Sequence, residues 1–356
     1  MADAGIGTAI LVAPTNIAYV TGFRVTPFER LIALVIPVAG QPRLVVPSLE
    51  EEAARAAVGP SVDLHIWRDE EGPSTAARAS LEGVELPLAV EKRHMTVSQL
   101  ELIHTSTTPV SGIEACDDLI GGLRLRKDEG ELDCHRRAAS FVDAAMARVA
   151  EESLRPGRAE SDVGADVERF LREAGGSDLG GFHPIVLTGR RSSFPHAKPG
   201  ATALEAGDLV IVDFGVTADG YFADITRTFV VGREPDAEQR RIFDVVRAAQ
   251  QAGVEAVRAD NACRDVDRAA RSVIDEAGLG HYFIHRTGHG LGLDVHEPPY
   301  LTATNEERLE PGMVVTVEPG VYVDGYGGVR IEDDVVVTSS APEVLTGTAI
   351  AVDLAL

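Results

Sequence analysis

Cysteine is scarce in this chain. Only Cys116, Cys134 and Cys263 occur in 356 residues, odd in number, widely spaced and without a CxxC pair. That pattern argues against a disulfide framework or a cysteine metal knuckle, and fits reduced thiols in a cytoplasmic protein. Lysine is equally rare: Lys92, Lys127 and Lys198 are the whole set, so arginine carries nearly all the positive charge. Positive charge is itself deficient, with a net charge of -23 at pH 7. Nucleic acid and anionic membrane both require basic patches, so neither is an expected partner. Long apolar runs are missing too. The most apolar stretch, "LIALVIPVAG" (31–40), is too short to cross a bilayer and contains Pro37. The opening "MADAGIGTAILVAPTN" has neither a basic segment nor a cleavage-like site, so no signal peptide is expected.

What is present is an ordinary globular composition, 44% hydrophobic and 25% charged, in a length that suits one large domain or two of usual size. To about residue 120, strand-like runs ("TAILVAPT" at 8–15, "RLIALVIPV" at 30–38, "RLVVPS" at 43–48) alternate with helical ones such as "EEEAARAAV" (50–58). This reads as a small α/β domain over 1–122. The character changes in "GGLRLRKDEGELD" (121–133), and a second domain is expected over 128–356. It reads helix (131–154), helix (160–176), strands (roughly 182–231), then helix (236–258), helix (262–278) and strands again. A weak internal repeat accompanies that order. "GDLVIVDFG" (207–215) and "GMVVTVEPG" (312–320) share a glycine, an apolar run, an acid six residues on and a glycine two beyond.

The two acids of the repeat are Asp213 and Glu318. Each is followed by a turn and a return strand with a further acid, Asp224 or Glu332. A turn near Ala218-Asp219-Gly220 would bring Asp213 opposite Asp224, or nearly so, and the second hairpin would bring Glu318 near Glu332. A single acid in a strand is ordinarily a salt bridge or an exposed edge, and Arg227 and Arg330 could serve as partners. Four acids in matched frames point instead to one shared space and to two divalent cations that neutralise it. Histidines shift the choice of metal away from calcium and magnesium. "FIHRTGHGLGLDVHEPP" (283–299) supplies His285, His289 and His296 among three glycines, which would let an ion or ligand approach the backbone. His289, between Gly288 and Gly290, is the best candidate for direct coordination. Another histidine, His196 in "SSFPHAKPG", reads from the residues alone as a loop side chain capping a turn.

With these residues in view, "VDFG...GYFADITRTF", "TGHGLGLDVHE", "TVEPG" and "VRIEDDVVV" resemble, in order, the motifs of the pita-bread metallopeptidases. That family includes methionine aminopeptidase, aminopeptidase P and prolidase. The resemblance covers about 128–356 and implies an α+β, pita-bread catalytic domain. "NIAYVTGF" (16–23) resembles a signature of the creatinase/prolidase N-terminal domain, which methionine aminopeptidases lack, so the proline-specific branch is implied. The helix that usually opens that domain is short or missing here. Creatinase and the non-catalytic binding modules of the fold lack metal ligands that this chain keeps.

The resemblance implies five metal ligands: Asp213, Asp224, His289, Glu318 and Glu332. Asp224 and Glu332 would bridge two divalent ions, manganese foremost, with cobalt or zinc as alternatives. Asp213 would complete one ion's shell, and His289 with Glu318 the other's. The implied catalytic set is Glu318 as proton shuttle, with His196, His285 and His296 near the substrate. Arg330 would orient Glu332 or contact substrate. The implied activity is hydrolysis of Xaa-Pro bonds, preferentially in dipeptides, by a cytoplasmic homodimer acting on small peptides. The alternatives are an Xaa-Pro aminopeptidase working on longer peptides, a hydrolase of a non-peptide amide, and a binding module without turnover. Tyr221 reads as packing. Arg308 is a candidate reader of a dipeptide's carboxylate, against the simpler reading of a solvated side chain.

Overall fold

The structure, a computed structural model, describes residues 1–106, 113–176, 178–181 and 183–349. Residues 107–112 of the expected first domain, and positions 177 and 182 and residues 350–356 of the second, lie outside the described residues. The chain divides into two compact units, residues 1–123 and 124–356.

The first unit runs β1 (Thr8–Leu11), α1 (Pro14–Thr21), β2 (Ala33–Pro37), β3 (Arg43–Pro47), α2 (Glu51–Val58), β4 (Asp63–Trp67), α3 (Ser74–Ser80), β5 (Leu88–Val90), α4 (Val97–Ser106), β6 (Glu114–Ala115) and α5 (Asp117–Leu125), within whose last turn the division falls. Its mixed sheet has the order β4-β3-β2-β1-β5-β6. Alternate residues of β1 enter different cores. Ala9 and Leu11 pack with Ile17, Ala54 and Ile120 on one face, and Ile10 packs with Ala76, Ala77 and Ile103 on the other. A strand covered on both faces reads as a continuous apolar run, which is why 8–15 looks like one strand. The structure ends that strand at Leu11 and starts a helix at Pro14, where proline's missing N–H costs nothing. Ahead of β1 there is only a 3-10 turn, Ala2–Ala4.

The second unit repeats one plan. Its first half is α6 (Glu129–Arg148), α7 (Glu160–Ala174), β7 (Ile185–Thr188), β8 (Leu209–Ala218) and β9 (Tyr221–Val230). Its second half is α8 (Ala237–Ala256), α9 (Cys263–Glu276), β10 (Gly288–Gly290), β11 (Glu297–Leu301), β12 (Val314–Val317), β13 (Gly320–Val323), β14 (Gly327–Arg330), β15 (Asp333–Val336) and β16 (Glu343–Val344). Asp128 and Glu131 form a capping box at the start of α6, worth about 1 kcal/mol. α6 finishes in a π turn, Val149–Ser153, before Pro156.

Strand parity then places the site. Val210, Val212, Phe214 and Val216 of β8, with Ala223 and Ile225 of β9, pack against α6 and α7. The alternating set, Asp213 on β8 and Asp224 and Thr226 on β9, therefore points away from those helices. In the second half the pairings Val317↔Asp333 and Gly320↔Arg330 share one register across an interruption. Glu318 and Glu332 fall in that interruption, at facing positions. A bridge between Thr226 and Glu332 joins the two halves, through Glu332 N–H donating to the Thr226 carbonyl at 3.1 Å.

Candidate active site

The first hairpin closes with a two-residue loop, Asp219-Gly220, with φ of 46° and 84°. Both residues are left-handed, as the tight turn that matches strand twist requires, and Gly220 adopts that conformation without steric cost. This loop fixes Gly215 opposite Asp224 and Thr226 opposite Asp213. The two aspartates are thus diagonal neighbours on one face rather than direct partners, a two-residue step from the opposition their spacing suggests.

They open into a cavity of about 370 Å³. All five expected ligands, Asp213, Asp224, His289, Glu318 and Glu332, line it, as do His196, His285, His296 and Arg330. Ligand atoms of Asp224, His289 and Glu332 lie within 4.8 Å of one another. The His289 Nδ1 sits 3.0 Å from the Gly290 carbonyl, which can only accept, so Nδ1 carries the proton and Nε2 presents its lone pair. That Nε2 is 3.5 Å from Glu318 Oε1. The His296 ring packs edge-on against His289 with centroids 4.1 Å apart.

Electrostatics expose the strain of this arrangement. Burial, then Asp213 and Asp334, push Asp224 well above the carboxylate range. Burial, then Asp224, do the same to Glu332. Burial pushes Glu318 up to about 7, with Arg330 opposing and Asp213 adding to it. Burial and His296 hold His289 down to about 3. Among the described residues Asp213 Oδ1 and Asp224 Oδ1 are buried with no hydrogen-bond partner. Four carboxylates facing one paired arginine leave negative charge over, and the orphaned oxygens lack the partner that a cation would supply. The donor set, carboxylate oxygens and one imidazole nitrogen, suits divalent manganese, cobalt, zinc or iron.

Several assignments change. Arg330 is paired to Asp213, not to Glu332. It also donates to the Tyr322 hydroxyl at 2.8 Å and to Thr226 Oγ1 at 3.2 Å. Arg227 is fully buried and joins Asp333 at 2.7 Å and the Glu332 carbonyl at 2.6 Å, so it braces the ligand's backbone. Two glycines of "GHGLG" make room for neighbouring backbone. A Cβ on Gly288 would strike the Thr316 carbonyl, and one on Gly290 the Pro298 carbonyl, so they allow neighbouring backbone to close in. Arg308 is exposed and donates to the Asp260 carbonyl. The Tyr221 hydroxyl donates to Glu131 at 2.6 Å.

Sequence reasoning missed three side chains. Tyr322 accepts from Arg330 and donates to His285 Nε2 at 2.9 Å, while His285 Nδ1 donates to the Arg286 carbonyl at 2.7 Å. Thr226 Oγ1 donates to Glu332 Oε2 at 2.6 Å. Asp334 accepts from the Asp224 N–H at 2.9 Å. Thr226 was within reach, because it follows Asp224 at the two-residue interval of one strand face. Tyr322 and Asp334 gave no such signal.

A buried constellation of carboxylates and imidazole at the meeting of two repeated halves defines a metal-dependent hydrolase class. The pattern of metallopeptidase family M24 matches residues 133–339, and that of the creatinase/prolidase N-terminal domain matches residues 1–125. A Mycobacterium tuberculosis protein that carries the dipeptidase name PepE is 39% identical over 95% of this chain and 89% of its own length. A solved Xaa-Pro dipeptidase from Bacillus anthracis is 33% identical, with a TM-score of 0.89 over 99% of this chain and 96% of that one. An X-Pro aminopeptidase from Thermotoga maritima is 28% identical, with a TM-score of 0.88 over 99% and 96%. The chain belongs to metallopeptidase family M24, with the pita-bread catalytic fold behind a creatinase-type N-terminal domain. It is a peptidase, and its family works with divalent metal ions. Among the described residues no helix is long and apolar enough to cross a membrane.

Proposed function

We propose that the protein hydrolyses Xaa-Pro bonds, preferentially in dipeptides, with two divalent ions held by Asp213, Asp224, His289, Glu318 and Glu332, manganese foremost. The observation that carries this reading is the pair of orphaned oxygens, Asp213 Oδ1 and Asp224 Oδ1, beside the Asp224–His289–Glu332 cluster. When bound, the ions supply Lewis acidity toward the scissile carbonyl and a water acidified from about 15.7 toward 7.

The chain's own groups do the rest. Glu318 Oε1 takes the proton from the attacking water and returns it to the leaving proline nitrogen, a service typically worth about 10²–10⁴-fold. His289 keeps its Nε2 directed inward because Nδ1 is committed to the Gly290 carbonyl. Arg330, fixed by Tyr322 and Thr226, holds Asp213 in place. His196 and His296, both exposed at the cavity, receive the substrate, and His285 anchors Tyr322 from behind. An Xaa-Pro bond has no N–H, so a site that acts on the carbonyl loses nothing at proline. The dipeptidase names of the Mycobacterium and Bacillus relatives support the same reading, and the homodimer implied by the family resemblance remains part of the proposal. Turnover of Ala-Pro and Ala-Pro-Ala with manganese, before and after chelation, tests it. Ala-Pro should be cleaved faster and both reactions should stop on chelation. Faster cleavage of Ala-Pro-Ala, which the Thermotoga neighbour's name favours, would replace dipeptidase by aminopeptidase.

A further inference from the structure

One charged side chain in the cavity has no task in the proposed reaction. Arg286 lines the same cavity as the carboxylates. Its backbone is fixed, because its carbonyl accepts from His285 Nδ1 at 2.7 Å and the next N–H, of Thr287, donates to Leu301 at 3.0 Å. Its guanidinium lies over the Tyr300 ring, 4.5 Å from the centroid. Stacking of this kind orients the planar fork and uses none of its N–H donors. Among the described residues no carboxylate pairs with it, whereas Arg330 in the same cavity is held by Asp213, Thr226 and Tyr322. The charge acts on the site all the same: burial and then Arg286 keep His296 below the usual histidine range.

We propose that Arg286 determines specificity by binding the free C-terminal carboxylate of a dipeptide substrate, an inference that rests on the dipeptidase reading. In a dipeptide the carboxylate lies one residue beyond the scissile carbonyl. Entering a cavity lined with acids, in a protein of net charge -23, it needs a cation that no protein acid has already taken. A fork with free donors offers two parallel charge-assisted hydrogen bonds. A longer peptide presents a neutral amide there and leaves the fork unmatched. A cavity of about 370 Å³ is near the lower end of ligand pockets, about 300–1,000 Å³, which suits a substrate of two residues. Arg308, the other candidate for this duty, is absent from the cavity lining.

The test is steady-state kinetics of the manganese-loaded full chain on Ala-Pro, Ala-Pro amide, Ala-Ala, Ala-Ala amide and Ala-Pro-Ala. Wild type, Arg286→Gln and Arg286→Lys are compared. The wild type is expected to favour each acid over its amide in kcat/KM. Arg286→Gln should lose roughly 10–100-fold of that preference, chiefly through KM, with Arg286→Lys retaining part of it. An unchanged acid-to-amide ratio in Arg286→Gln overturns the proposal, and so does an equal loss on acid and amide. If Ala-Ala is cleaved in preference to Ala-Pro, the proline reading fails, and the acid-to-amide ratio on the Ala-Ala pair still decides Arg286. Cleavage of Ala-Pro-Ala with no dipeptide turnover overturns both. Should the variants not fold, inhibition of the wild type decides. Free proline binding at least about tenfold more tightly than prolinamide supports the proposal, and equal inhibition overturns it.

Discussion

Two acid clusters of the second unit are neutralised differently. Behind the histidine hairpin, Glu297 accepts from Lys127 at 2.8 Å and from Arg124, which also holds Asp294 at 2.8 Å. Two acids meet two cations. Burial alone would raise Glu297, but Lys127 and Arg124 outweigh it and keep the carboxyl below its ordinary range. In the cavity, four acids meet one directly paired arginine, and Asp224, Glu318 and Glu332 are all pushed up. The comparison separates two ways of balancing buried acids. Where the chain supplies its own counter-charge the acids are structural, and where it does not, the proposed divalent ions would supply it.

The largest effect is expected from removing a carboxylate of the unbalanced cluster. Asp224→Ala should lose bound metal and more than about 100-fold in activity, beyond the usual cost of losing only an outer partner. Metal content and kcat/KM measured together check this, and full activity in that variant would refute the role of Asp224. In the balanced cluster the loss should fall on stability. Glu297→Gln leaves Lys127 buried without its charged partner and Arg124 with Asp294 alone, and should cost about 3–5 kcal/mol in urea unfolding. The metal-free Asp224→Asn protein, relieved of a buried charge, should be no less stable than metal-free wild type.

Acidity separates the clusters next. Folding raises Glu318 from 4.5 to about 7. The stability it lends the chelated protein is therefore present below about 4.5 and is lost as pH climbs through about 7. Glu297, held low, behaves oppositely: its contribution is present above 4.5 and disappears as pH falls through its lowered value. Thermal melts of chelated wild type and Glu318→Gln across pH 4.5 to 8 should show a decline in the wild type that the variant reduces. The smallest effect belongs to an exposed pair such as Arg55–Glu51 on α2, where Arg55→Ala should cost about 0.3–0.5 kcal/mol.

How far the sequence discloses this contrast depends on the distance between the residues involved. The Asp213 and Asp224 hairpin was legible, because a two-residue turn and strand parity are local rules. Only the step between direct and diagonal neighbours escaped it. The repeated halves and the four acids followed from spacing within short segments. Lys127 and Glu297 lie 170 residues apart, and Arg330 and Asp213 117 apart. No spacing rule reaches that far, so the sequence could show which acids matched but not which already had cations. The helix at Pro14 was hidden for another reason: burial on both faces makes a strand and its neighbour one apolar run.

Metal stoichiometry tests the central claim most directly. Elemental analysis of the purified, manganese-supplemented protein should find two divalent ions per chain, lost on chelation together with activity. Undiminished turnover by protein shown to hold no divalent ion would contradict it.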